Sequence, residues 1–229
     1  MKTIGLIGGM SWESTVTYYK IINTTVKELL GGLHSAKCLL YSVDFDEIER
    51  CQSSGDWEKS ARILSDAAVR LQNAGADFIV ICTNTMHKVA DSIQRDIAVP
   101  LLHIAEVTAD ELLKNSVHRV ALLGTAYTME QEFYKSKLIE KGVEVLIPKE
   151  EDRAFINRTI YHELCLGVAS AAAKERFLAI INELAKEGAQ GVILGCTEIG
   201  LLVSQADTAV PLFDTALIHA QKAAEFAVK

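Results

Sequence analysis

The chain has 229 residues, 49% of them hydrophobic and 23% charged, enough apolar material for a packed core in one large domain or in two of about 110 residues. A formal net charge of −7, with no basic run, argues against a nucleic-acid partner, because phosphate neutralisation needs clustered Lys and Arg. No stretch approaches the roughly 20 apolar residues of a membrane span, and the start MKTIGLIGGMS turns polar too soon for a signal peptide, so no membrane partner and a cytoplasmic location are expected.

In chain order, a strand is predicted near 3–7, followed by the small-residue segment Gly8-Gly9-Met10-Ser11. A second strand near 37–43 leads to Glu49-Arg50-Cys51-Gln52-Ser53-Ser54-Gly55, read as a polar loop able to fold over a ligand. Leu64, Ala67, Ala68 and Leu71 recur at helical spacing, and Gly75 then stands where a helix ends in a left-handed residue. The continuous apolar run from Phe78 to Ile81 suits a strand buried on both faces, near 78–82, and runs into Cys82-Thr83-Asn84-Thr85-Met86-His87. Further strands are predicted near 119–124, 143–147 and 191–195, with a helix carrying Phe177, Ile180, Ile181 and Leu184 before the last of them and a final helix at about 215–227.

The second half echoes the first. Val120-Ala121-Leu122-Leu123-Gly124 answers Ile4-Gly5-Leu6-Ile7-Gly8, and Val210-Pro211-Leu212 answers Val99-Pro100-Leu101. Gly188 answers Gly75, which brings Cys196 to the place of Thr83. Three such matches in the same order at nearly constant separation indicate a duplicated unit. The expected fold is α/β, with two pseudo-symmetric doubly wound parallel-sheet domains and the active site in the crevice between them. The predicted division is 1–100 plus about 213–229 for one lobe and 101–212 for the other.

In parallel sheets ligands bind beyond the carboxyl ends of strands, where backbone amides point at anions. Gly8-Gly9-Met10-Ser11, Thr83-Asn84-Thr85, Gly124-Thr125 and Cys196-Thr197-Glu198 occupy such places, and none matches a dinucleotide fingerprint or a P-loop. The five cysteines are odd in number, widely spaced and without a C-x-x-C pair, and the six histidines show no ligand spacing, so neither disulfide nor metal is expected. Cys196, after a strand and at a predicted helix start, is expected to have a lowered thiol pKa, against the alternative of a small residue packed under a turn.

Taken together, Ile4 to Met10, Cys82 to His87 and Gly195-Cys196-Thr197-Glu198 resemble the three signature motifs of the aspartate/glutamate racemase family, and most closely its L-aspartate/glutamate-specific members. The resemblance covers essentially the whole chain. It implies deprotonation and reprotonation of the substrate α-carbon by two cysteines on opposite faces, with no pyridoxal or other cofactor, and a homodimer. Cys196 corresponds to the second cysteine, while Thr83 stands where the first belongs. A hydroxyl is far too weak an acid to serve as an alkoxide base near neutral pH, but it can donate or relay a proton. The expectation is therefore an L-specific racemase of a small acidic amino acid, with Thr83 and Cys196 catalytic.

Met10, Gln52, Thr83, Asn84, Thr85, Thr197 and Glu198 are the expected substrate contacts. Each has a plainer alternative: core filling for Met10, a solvated loop for Gln52, helix capping for Asn84, Thr85 and Thr197, and a dipole-favoured first-turn acid for Glu198. Alternation along a strand turns Cys82 away if Thr83 faces the ligand. Arg50 is either a partner for a distal carboxylate or a surface charge, His87 either an acid/base group or a packed cap, and Trp12 and Trp57 are read as packing residues. Two rival functions keep the same residues: a cysteine-dependent dicarboxylate isomerase or decarboxylase, and a binding protein that lost catalysis with its first cysteine.

Overall fold

The computed structural model describes residues 1–229, which divide into two units: Met1–Ile104 with His219–Lys229, and Ala105–Ile218. No helix is long and apolar enough to cross a membrane.

In the first unit a parallel sheet runs in the order β2-β1-β3, formed by β1 (Ile4–Gly8), β2 (Cys38–Ser42) and β3 (Phe78–Ile81). Ile4 sits between Cys38 and Phe78, and Ile7 between Tyr41 and Ile81. β1 and β3 are buried at every residue, as strands covered on both faces must be, which is why both read as unbroken apolar runs. The Trp57–Asn73 helix buries Leu64, Ala67, Ala68 and Leu71 against this sheet, and they share one core with Ile7, Ile79 and Ile81.

The second unit carries a parallel sheet in the order β5-β4-β6-β7, formed by β4 (Arg119–Gly124), β5 (Glu144–Leu146), β6 (Val192–Gly195) and β7 (Leu212–Asp214). Its Ala171–Lys186 helix buries Phe177, Ile180, Ile181 and Leu184 in a core shared with Leu123, Val192 and Leu194.

The repeat extends to hydrogen bonds. Gly75 (φ 99°) and Gly188 (φ 101°) each follow the last turn of a helix, a conformation that side-chain-bearing residues rarely adopt. The Gly75 and Ala76 amides donate to Gln72 and Leu71, and those of Gly188 and Ala189 to Ala185 and Leu184, the same two-bond termination in both units. Gln94 accepts from the Leu101 amide (2.7 Å) and donates to the Val99 carbonyl (3.1 Å). Gln205 does the same with Leu212 (2.9 Å) and Val210 (3.1 Å). These clamps hold the two Val-Pro-Leu elements, yet only the second extends into a strand, β7, which the sequence reading had not placed. In the first unit Leu101 forms an isolated bridge with Ile79.

Two expectations need correction. Residues 49–55 are not a loop: Phe45–Ser54 is a helix, capped by Asp44 and closed by Gly55 (φ 74°). Only Ile48, Cys51 and Gln52 are buried along it, too short an apolar repeat to show a period, and Ser53-Ser54-Gly55 imitates a turn. Trp12, expected to pack, is 64% exposed at the start of the Trp12–Leu30 helix.

The exit from β1 depends on Gly9. Its φ is 93°, its N–H donates to Thr15 Oγ1 at 2.9 Å, and a Cβ placed there would lie 2.2 Å from the Val43 carbonyl. Gly9→Ala is therefore expected to cost about 2–5 kcal/mol, strain and overpacking combined, measured as a lowered denaturant midpoint.

Candidate functional site

In the first unit the predicted residues gather at the carboxyl ends of β1 and β3. Ser11 caps the helix that follows β1, its hydroxyl accepting from the Ser14 amide at 3.3 Å. Ser14 in turn donates to the Cys82 carbonyl at 3.1 Å, joining the two strand exits. Neither Ser14 nor Thr15 was singled out in the sequence; a hydroxyl in a first helical turn reads only as a capping preference. Met10 is buried and belongs to the unit's core. Gln52 is also buried, and its amide donates to Met86 Sδ at 3.0 Å, so it lies against the segment that leaves β3.

Cys82 is fully buried while Thr83 keeps partial exposure; both lie just past the end of β3, in the bend that leaves the strand. Burial pushes the Cys82 thiol far up, which makes it a poor source of thiolate. Asn84 and Thr85 are buried at the start of a short 3₁₀ helix, Thr85–Val89, and the Asn84 side chain makes no capping bond to it. The α-helix of this segment begins only at Ala90.

His87 is fully enclosed by its surroundings. Its Nδ1 lies 2.8 Å from the Thr83 carbonyl, and its Nε2 accepts the Ile104 amide at 3.2 Å. Burial and then His103 hold its pKa well below the usual histidine value, so the ring is neutral. Arg50 pairs on the surface with Asp46 at 2.6 Å, and Lys88 lies over the Trp57 ring at 3.7 Å.

In the second unit β6 ends at Gly195, and Cys196-Thr197-Glu198 form the turn before a four-residue helix, Ile199–Leu202. One carboxylate oxygen serves both neighbours. Glu198 Oε2 accepts from Cys196 Sγ at 3.0 Å and from the Thr197 hydroxyl at 2.6 Å. Cys196 is partly exposed, packed against the core beside Cys165.

The expected lowering of the Cys196 pKa is reversed. Burial raises it well above the ordinary thiol value, and the Glu198 charge and hydrogen bond raise it further. A four-residue helix has almost no dipole to oppose a carboxylate in contact with the sulfur. Glu198, expected as a substrate contact or a dipole-favoured first-turn acid, thus lies in hydrogen-bond contact with both the thiol and the Thr197 hydroxyl. No group of three or more His, Cys, Asp or Glu side chains is arranged to hold a metal ion.

The sequence model of the Asp/Glu/hydantoin racemase family matches residues 7–223. The chain is 25% identical over 228 residues to the broad specificity amino-acid racemase RacX of Bacillus subtilis (strain 168), covering 93% of this chain and 92% of that protein. The crystal structure of a candidate Asp/Glu racemase from Yersinia pestis is 55% identical, with a TM-score of 0.95 and full coverage of both chains. That of PH1733, an aspartate racemase homologue from Pyrococcus horikoshii OT3, is 40% identical, with a TM-score of 0.88 and full coverage of both.

Proposed function

Because the chain belongs to the Asp/Glu/hydantoin racemase family, an isomerase lineage, we propose that it racemises L-aspartate or L-glutamate through Cys196 and Thr83. The observation that carries this reading is the partly exposed Cys196 thiol at a strand end, 3.0 Å from the carboxylate of Glu198. In the L-to-D direction the thiol gives its proton to Glu198, and the resulting thiolate removes the α-hydrogen, leaving a carbanion-like substrate and a thiol. The Thr83 hydroxyl, directly or through water, returns a proton to the opposite face and regains one from solvent, while Glu198 releases to solvent the proton it took from the thiol. No pyridoxal is needed if the carbanion is stabilised by amides around the carboxylate, a role assigned to Asn84, Thr85 and Thr197, with Met10 and Gln52 shaping the first unit's share of the site. The protein is proposed to act in the cytoplasm as a homodimer.

The two enantiomers are equally stable in water, so kcat/KM must be the same in both directions. L-specificity then takes the form of unequal saturating rates and unequal exchange of the α-hydrogen with solvent. In deuterium oxide, deuterium is expected to enter recovered L-substrate through the Cys196 thiol far faster than recovered D-substrate, which meets only a hydroxyl. Equal rates would defeat the reading. The similarity to a broad specificity amino-acid racemase favours including other amino acids in the same assay. Turnover of maleate in place of amino acids would indicate the dicarboxylate isomerase, and amino-acid binding without exchange would indicate the binding protein.

A further inference from the structure

The reading above uses Thr83 but leaves three buried histidines of the first unit without a part. His87, His103 and His219 pack together, with the His87 ring centroid 4.7 Å from that of His103 and 5.6 Å from that of His219. The hydrogen bonds of two of them fix their protons. The Ile104 amide can only donate, so His87 Nε2 is unprotonated. The Thr83 carbonyl can only accept, so the proton of this neutral ring is on Nδ1. His219 has the opposite tautomer: its Nε2–H donates to the Leu102 carbonyl at 2.8 Å, and its Nδ1 accepts the Tyr18 hydroxyl at 2.9 Å.

The two histidines thus hold neighbouring points of one segment, His87 at the Ile104 amide and His219 at the Leu102 carbonyl. They also stack edge to face. The Thr83 carbonyl is the other end of this chain of contacts. Thr83 precedes Asn84, the N-cap of a short 3₁₀ helix, so its carbonyl lies outside that helix's own hydrogen-bond ladder. The bond from His87 ties it to the buried interior.

From this network we infer that His87 is a positioning residue for the Thr83 side of the reaction: its Nδ1–H holds the Thr83 carbonyl, and its Nε2 anchors that hold to Ile104. The inference rests on the proposed role of Thr83 and goes beyond it. His87 does not touch substrate and moves no proton of the reaction. It fixes the backbone from which the Thr83 hydroxyl reaches the α-carbon, where a misplacement of one ångström is enough to slow proton delivery.

Two substitutions separate its bonds. In His87→Asn the side-chain NH₂ falls near the position of Nδ1 and can still donate to Thr83, while the bond to Ile104 is lost. In His87→Gln the longer side chain reaches the position of Nε2 and keeps Ile104 but loses Thr83. The readouts are formation of D-product from L-substrate and entry of deuterium into recovered L-substrate, the second depending on the Cys196 side alone.

For His87→Gln we expect D-product formation to fall about tenfold or more through kcat, with KM and deuterium entry nearly unchanged. His87→Asn is expected to restore most of the lost turnover. An equal fall of both readouts in both variants, or full activity of His87→Gln, would overturn the assignment. Should neither variant fold, nitrogen NMR of the wild-type imidazole decides. The Nδ1–H tautomer supports the assignment, and the Nε2–H tautomer overturns it. Thr83→Ala tests the underlying reading separately, since loss of D-product with retained deuterium entry is required there whatever His87 does.

Discussion

Cys196→Ala is expected to abolish both racemisation of L-substrate and deuterium entry into it, a loss on the order of 10²–10⁴-fold or more, because it removes the base itself. Cys196→Ser should fail to the same degree. The hydroxyl restores size and a hydrogen bond to Glu198 but not acidity, so the pair of variants separates proton chemistry from packing at a site that contacts the second core. Thr83→Cys should act in the opposite sense. It places a thiol at the repeat-equivalent position and supplies the base that D-substrate lacks, so deuterium should enter recovered D-substrate at a rate approaching that for the L-enantiomer. Chiral chromatography and the α-proton NMR signal measure both quantities. Exchange that survives in Cys196→Ala would remove the thiol from the mechanism.

The parts of this molecule that were legible in the sequence are those whose cause is local. Leu64 to Leu71 and Phe177 to Leu184 announce helices because the apolar face repeats at the helical period over two turns. Gly75 and Gly188 mark where those helices stop because a positive φ suits glycine far better than any other residue. The repeat then carries Thr83 and Cys196 to corresponding strand exits.

What was not legible depends on groups far apart in the chain or on the orientation of one side chain. Gln52 turns inward because Met86 waits on another element. The His87 anchor at Ile104 has no sequence signal, since any histidine followed by any amide would read the same. β7 escaped notice because three residues behind a proline are too few to show alternation. The direction of the Cys196 pKa was misjudged because the helix after it stops after four residues and Glu198 folds back onto the sulfur instead of facing solvent.

That last contact raises a difficulty for a thiolate mechanism, and its resolution can be measured. Burial and then the Glu198 charge favour the protonated Cys196 thiol at neutral pH. In the proposed mechanism the thiol and the carboxylate, in contact at 3.0 Å, share one proton, which passes from sulfur to the carboxylate in a small, reactive fraction. Between the ionisations of the pair that fraction does not change with pH, so wild-type kcat/KM for L-substrate should be flat across the neutral range. Glu198→Gln removes the acceptor. The thiol must then lose its proton to solvent, and its ionised fraction below its pKa should rise about tenfold per pH unit. The variant should therefore be on the order of 10–100-fold slower near neutrality and recover steadily as the pH is raised. The gap should close sooner because the negative charge that opposed ionisation has gone. Glu198→Asp should restore part of the flat profile. A variant that raises KM alone and keeps a flat profile would make Glu198 a contact for the substrate ammonium, leaving another group to take the thiol proton.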